Sequence, residues 1–207
     1  MPSLSAIIPT CAADIDRLAM LRRSMQSALH QLQEGDELLV AADTTDSPLD
    51  AVRELCGRLG QEAPEGTCVR FVPHTPGHHD YGHSQLNHAI SVARGEYITG
   101  CDDDDVWCED AFEAIREEAG KLPNPAPLLF RFRSYHGPTF WLVPGLLGEG
   151  LIGGHCAVFP NIPGKLGQWG ARYEGDWDYI ESTLQLWEAA GVAPVWVNRL
   201  ICIARPT

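Results

Sequence analysis

The sequence predicts an α/β fold, a mixed and mainly parallel sheet of Rossmann type flanked by helices. Three observations lead there. Strand-like and helix-like segments alternate in βαβαβαβ order through the first half, the pattern of parallel strands joined by helical crossovers. Gly or Pro punctuates most of these segments. Four consecutive aspartates, Asp102 to Asp105, follow the fourth strand-like run, and the carboxyl ends of strands are where open α/β sheets bind ligands.

The elements follow in order. Leu4 to Ile8 is a short apolar run closed by Pro9. Ile15 to Leu32 carries Ile15, Leu18, Leu21, Met25, Leu29 and Leu32 at helical spacing, with Asp14 as its cap. Glu37 to Ala42 is a strand, Leu49 to Leu59 a helix stopped by Gly60, and Cys68 to Val72 a strand stopped by Pro73. Gln85 to Ala93 is a helix stopped by Gly95; Tyr97 to Cys101 is the fourth strand, and a further helix starts near Glu109. After Pro123-Asn124-Pro125 the character changes. Leu128 to Phe132 and Thr139 to Val143 are expected strands, Gly145 to Gly154 a Gly-rich loop, and Asp176 to Ala190 a helix stopped by Gly191. Val192 to Val197 and Leu200 to Ala204 are expected as two short final strands.

Composition excludes some functions. The 207 residues include 28 acidic and 15 basic ones, a formal charge of −13. Nucleic-acid binding needs basic patches for phosphates, so no nucleic-acid partner is expected. A phosphorylated small molecule stays open, because a bridging metal lets an acidic protein hold a diphosphate. The seven cysteines contain no CxxC pair and read as reduced, mostly buried thiols. No charged-then-apolar leader opens the chain. No apolar run approaches the ~18–20 residues of a membrane span. A soluble, cytoplasmic protein whose two halves share one sheet is expected.

Clustered carboxylates at a strand end repel one another and need a counter-charge. Hard oxygen ligands suit Mg2+, Mn2+ or Ca2+; the alternative is a solvated acidic turn.

Taken together, the segments resemble the family 2 glycosyltransferases of GT-A fold. Ala6-Ile7-Ile8-Pro9-Thr10 is similar to the family's first strand and its exit. Leu38 to Asp46 is similar to its second strand, with Ala42 in place of the first of two usual aspartates. Asn87-His88-Ala89-Ile90, with Ala93-Arg94-Gly95-Glu96-Tyr97-Ile98, is similar to its following helix and strand. Asp102-Asp103-Asp104-Asp105-Val106-Trp107 falls on its DxD motif, and Gly175-Asp176-Trp177-Asp178 on its Glu-Asp helix start. Ala12 stands where Asn is frequent, and Tyr81 where some relatives place a basic residue.

The resemblance implies one GT-A-like domain over 1–207, with 1–122 as the nucleotide-sugar half and 123–207 as the acceptor half. It implies that Pro9 and Thr10 line the nucleotide pocket and that Asp43 binds the base, expected to be uracil. Asp102 would face the ribose or donor sugar, with Asp103 beside it in the donor site. Asp104 would hold Mn2+ or Mg2+ together with Asp102, and Asp105 would reach the donor sugar or the metal. His155 in Gly153-Gly154-His155 could contact metal, diphosphate or acceptor. Asp176 would be the catalytic base of an inverting transfer from a nucleoside-diphosphate sugar, UDP-sugar foremost. The acceptor would be a glycan, a small molecule or a protein.

Other features have competing explanations. An acid in a helix's first turn can serve only the open amides and the helix dipole, which is the alternative for Asp176. His74, His78, His79 and His83 could bind zinc or offer donors to phosphate or sugar. Trp141, Trp169 and Trp177 could stack on a sugar or belong to the core; Trp169, in a Gly-rich loop, is the better stacking candidate. A sugar nucleotidyltransferase would want a Gly-rich basic loop after the first strand, where Thr10-Cys11-Ala12-Ala13-Asp14 stands instead. A non-catalytic nucleotide-sugar or glycan-binding module is the third class.

Overall fold

Apolar runs closed by turns become parallel strands, and the helix-spaced segments cover them. A computed structural model describes residues 1–12, 14–44, 49–74, 80–134, 139–140 and 144–206. Strands β1 (Leu4–Thr10), β2 (Glu37–Asp43), β3 (Cys68–His74) and β4 (Tyr97–Gly100) lie parallel in the order β3-β2-β1-β4. Every residue of β1 and β2 is buried, which is why both read as near-continuous apolar runs, with Ser5 the polar exception inside β1, rather than as alternations. Helices α1 (Ile15–Leu29), α2 (Leu49–Glu62) and α3 (His83–Val92) connect them. Leu4, Ala6 and Ile8 pack with Leu21, Met25, Val52 and Leu55 of α1 and α2. Ile7, Leu39 and Ala41 point the other way and pack with Leu86 and Ala89 of α3, as the two-residue period of a strand requires.

Several boundaries differ from the sequence expectation. Pro9 does not end β1; it pairs with Ala41. Ile7 accepts a hydrogen bond from Cys101 N, and the β1–β4 pairing ends at Ile7 and Gly100. Pro9 faces that same edge two residues later, so its missing N–H interrupts no ladder. Pro73 is tolerated because β3 is at the edge of the sheet. Helix α2 runs through Gly60 to Glu62. A helical Gly costs about 1 kcal/mol, and burial of Val52, Leu55, Cys56 and Leu59 outweighs it. Helix α1 stops at Leu29, not Leu32, with Asp14 Oδ1 capping Arg17 N at 2.9 Å.

The second half extends the same sheet. It contributes β5 (Val106–Trp107), α4 (Ala111–Gly120), β6 (Leu128–Arg133), β7 (Thr139–Phe140), β8 (Ala157–Pro160), α5 (Gly175–Glu188) and β9 (Val195–Ile203). Beyond β4 the order is β8-β6-β9-β5. β8 is antiparallel to β4 and β6, whereas β9 is parallel to β6. The two expected terminal strands are one: β9 absorbs the break through register shifts against β6. Trp141 to Val143 lie outside the described residues. All seven cysteines are free; Cys11 and Cys68 are exposed. No helix among the described residues is long and apolar enough to cross a membrane.

Buried charge at the amino end of the sheet is structural. Asp36 accepts from Leu4 N at 2.8 Å, from Gln33 N at 2.7 Å and from Arg116. Glu37 accepts from Ser5 Oγ at 2.7 Å and Arg70 at 2.6 Å. Here the chain also passes itself closely at Gly95, where a Cβ would lie 2.4 Å from backbone atoms of Leu4 and Ser5. Gly95→Ala is expected to destabilise the fold by about 1–3 kcal/mol through forced backbone shifts, read as a lower urea midpoint. An unchanged midpoint would contradict that packing.

Candidate active site

At the opposite, carboxyl end of the sheet the strands open into a cleft of about 670 Å3. Pro9, Thr10 and Asp43 reach it from β1 and β2, and Asp102, Asp103 and Asp104 from the exit of β4. His155 and Asp176 line it from the second half of the chain.

The four aspartates form a turn, with Asp105 N donating to Asp102 O at 3.1 Å, so consecutive carboxylates point to different partners. Asp103 is buried. It accepts from Thr10 Oγ1 at 2.6 Å and faces Arg17 at 2.9 Å. Burial pushes its pKa up to about 6, against the opposing pull of Thr10 and Arg17. Asp104 is held by Arg17 at 3.3 Å and Arg205 at 3.0 Å. Arg23 reaches the Asp104 carbonyl and that of Pro206, lacing the chain's last described residues into the turn. Asp105 is buried; Oδ1 accepts from Arg205 N at 2.7 Å, and Oδ2 lies 2.6 Å from His155 Nε2. Asp102 is 56% exposed, with Oδ2 3.6 Å from the same imidazole nitrogen.

His155 sits on a 3-10 turn, Gly154–Cys156, with its ring 4.9 Å from that of Phe132. A Cβ at Gly154 would lie 2.5 Å from the Trp169 ring, and one at Gly153 3.4 Å from Asp176 Oδ2. The glycine pair lets the turn slip between these groups. Burial opposes charging of His155, but Cys202, Asp102 and Asp105 outweigh it and raise the pKa well above the imidazole norm.

The donor chemistry fits a divalent ion. Ligand atoms of Asp102, Asp105 and His155 lie within 4.8 Å of one another; the two carboxylates suit Mg2+ or Mn2+, and His155 joins them as a ligand only by giving up its proton. Asp104, expected in that set, is not among the three. The turn aims it at Arg17 and Arg205, and Asp105 converges with Asp102 instead.

Asp176 is not the cap of α5; that position is Glu174. Its Oδ1 accepts from Trp177 N at 2.7 Å, and the cleft reaches the residue. Trp169 is built into the wall. Asn87 bonds both its N and its O at 2.9 Å, and its ring stacks on Tyr179 at 5.0 Å. Trp177 packs partly against the core. His83 Nδ1 meets Gly170 O at 2.7 Å, while His74 lies against the His88 ring. Among the described residues neither joins a metal-capable group; His78, His79 and Trp141 are outside the described residues. Arg17, Arg205 and Tyr173 also line the cleft and carry no role in the sequence reading, and Tyr81, noted there only in place of a basic residue, lines it too. Arg17 alone had a local signal, as a cation in the first turn after the β1 exit.

Solved structures share this architecture. The chain superposes on S. aureus TarS with a TM-score of 0.65 at 14% identity, over 99% of this chain and 37% of that one. For S. aureus TarS 1-349 in complex with UDP the values are 0.62 and 14%, over 98% and 60%. For the mannosyltransferase PcManGT from Pyrobaculum calidifontis in complex with GDP-Man and Mn2+ they are 0.62 and 16%, over 98% and 56%. At these identities the likeness establishes the GT-A fold, and the chain spans between 37% and 60% of those chains. No curated protein matches the sequence. The family model described as glycosyl transferase family 2 matches residues 5–164, from β1 through the aspartate turn and His155 to the turn after β8. The chain therefore belongs to glycosyl transferase family 2.

Proposed function

We propose that the protein is a metal-dependent, inverting glycosyltransferase that moves a sugar from a nucleoside-diphosphate sugar, UDP-sugar foremost, to an acceptor hydroxyl. The observation that carries this is the meeting of Asp102 and His155, which line the cleft with Asp176, and of Asp105 buried behind them. UDP in one similar structure, and GDP-Man with Mn2+ in another, support the donor class.

Held by Asp102, Asp105 and His155, Mn2+ or Mg2+ would offset negative charge on the departing diphosphate as a Lewis acid. Pro9, Thr10 and Asp43 take the nucleoside at the ends of β1 and β2. Thr10 has a second task, because its hydroxyl fixes Asp103 and thereby the turn. Arg17 pairs with Asp103 and Asp104, and Arg205 with Asp104. Both line the cleft and can add positive charge beside a diphosphate. Asp176 accepts the proton of the acceptor hydroxyl as that oxygen attacks the anomeric carbon. Attack opposite the leaving diphosphate inverts that carbon in one displacement, with no covalent sugar intermediate.

Calorimetric titration of UDP with and without Mn2+ tests this. Binding is expected to require the metal and to weaken at least about tenfold in Asp105→Ala, with a smaller loss in Asp104→Ala. Absence of metal-dependent binding of UDP and GDP would leave the aspartates as a turn held by arginines. Tight UDP binding with no turnover of any donor would favour the binding-module alternative.

A further inference from the structure

We propose that Tyr81 and Tyr173 form the acceptor platform of the cleft and that their occupant is an uncharged carbohydrate; this rests on the transferase reading above. Tyr81 is 66% exposed and Tyr173 74% exposed, although both are large aromatic side chains. Their rings meet edge to face, 5.5 Å apart at 82°, and both line the cleft that holds Asp176. The exposed rings form a corner at its mouth.

The corner is built. Tyr81 precedes α3 and Tyr173 precedes α5 by two residues, so one ring comes from each half of the chain. His83 joins them. Its Nδ1 meets Gly170 O at 2.7 Å, and its ring fits so closely against Gly175 that a Cβ there would lie 2.4 Å from Nδ1. The next residue is Asp176, which ties the platform's position to the proposed base.

Tyr81 also has a backbone that a bulky residue rarely adopts. Its φ is 62°, and Gly82 follows with φ 87°. Glycine or asparagine would occupy the left-handed region with less strain. Tyrosine there turns an aromatic ring toward solvent, with little core packing in return. Strained backbone that presents a side chain at a cleft is characteristic of ligand contacts.

The chemistry selects the occupant. A pyranose ring has an apolar C–H face that fits a flat aromatic surface, and a phenol supplies a hydrogen bond at the edge. Asp80 precedes Tyr81 and Glu174 follows Tyr173, and both line the cleft with Asp176; Asp80 already accepts from Ser84 N and Oγ, and carboxylates have further lone pairs for sugar O–H groups. Arg172, the cation next to Tyr173, is held by Glu149 at 3.1 Å, Glu174 at 3.2 Å and Asp178 at 2.6 Å. The described rim is therefore acidic. Like charge disfavours phosphorylated or sulfated acceptors there, whereas a neutral sugar meets no such penalty.

Saturation-transfer NMR with cellotriose, chitotriose, maltotriose and a sulfated trisaccharide, in the presence of UDP and Mn2+, is the test. At least one neutral trisaccharide is expected to bind the wild type and to bind better than the sulfated one. Its affinity should fall at least about tenfold in Tyr173→Ala and in the Tyr81→Ala/Tyr173→Ala double variant, and return in Tyr173→Phe and Tyr173→Trp. Tyr173 has an ordinary backbone conformation, so Tyr173→Ala keeps the test decisive if changes at Tyr81 disturb folding. Equal binding by Tyr173→Ala, stronger binding of the sulfated sugar, or no binding of any trisaccharide by the wild type overturns the proposal. Nucleotide titration of the same wild-type sample separates the two readings. UDP binding with tyrosine-independent glycan binding removes the platform alone. Tyrosine-dependent glycan binding without any nucleotide binding removes the transferase reading alone.

Discussion

Asp176→Asn is expected to lower turnover by about 10²–10⁴-fold, the usual contribution of a positioned general base, while nucleotide affinity stays unchanged. Asparagine keeps an oxygen for the hydrogen bond from Trp177 N, so the start of α5 survives the change. What it lacks is a group that can take the acceptor's proton. Release of UDP from UDP-sugars, with acceptor or with water, measures the first quantity, and calorimetry the second. Turnover within a few-fold of wild type would remove Asp176 from the chemistry. Parallel loss of nucleotide binding would make it a donor contact instead. The tested difference is between the two halves of the cleft, since the aspartate turn follows β4 and Asp176 opens α5.

Asp36→Ala is expected to destabilise the protein by about 3–5 kcal/mol, the usual cost of removing one partner of a buried ion pair. Side chains of Asp36 and Arg116 are 1% and 2% exposed. Alanine leaves the guanidinium without its carboxylate and strips the acceptor from Leu4 N and Gln33 N as well. For a chain of this size each kcal/mol moves the melting temperature by about 2–4 °C, so a drop of roughly 6–20 °C follows. Thermal unfolding by circular dichroism reads it directly. Asp36→Ala/Arg116→Met should recover much of the loss, because the second change removes the stranded charge. A drop corresponding to less than about 1 kcal/mol, the ordinary effect of a point substitution, would mean that water reaches Arg116.

The sequence was most legible where the physics is local. The mainly apolar runs of β1 and β2, the spacing of Leu21, Met25 and Leu29, and the Asp14 cap depend on near neighbours alone. Gly and Pro are weaker stops here than their local chemistry implies. Gly60 was passed because the buried face of α2 outweighs one flexible residue, and Pro9 because its missing donor faces the end of β4. Two short strands, β5 and β8, left no readable pattern; β5 exists because β9 offers it a partner. The same distinction separates the site residues. That four aspartates mark a functional strand end can be argued from composition and position. Which of them converge cannot, because Asp105 is aimed by His155 and by the backbone of Arg205, which stands 100 residues later. Trp169, the better of the stacking candidates, does line the cleft, but its support was illegible for a similar reason. Asn87 and Tyr179 are remote in sequence and hold that ring in the wall.

The pairing of β5 with β9 also decides when the cleft can first work. Val106 and Trp107 wait for Ile203 and Cys202, and Asp105 waits for Arg205 N. Contacts of such separation form late and slowly. At a synthesis rate of about 5–20 residues per second, the aspartate turn leaves the ribosome roughly 5–20 s before its final partner exists. During that interval the early strands can pair, yet four neighbouring carboxylates lack the strand and the arginine that organise them. Until β9 docks, a nascent chain has the aspartates but not their arrangement, so the cleft is completed in one step once Arg205 has been made.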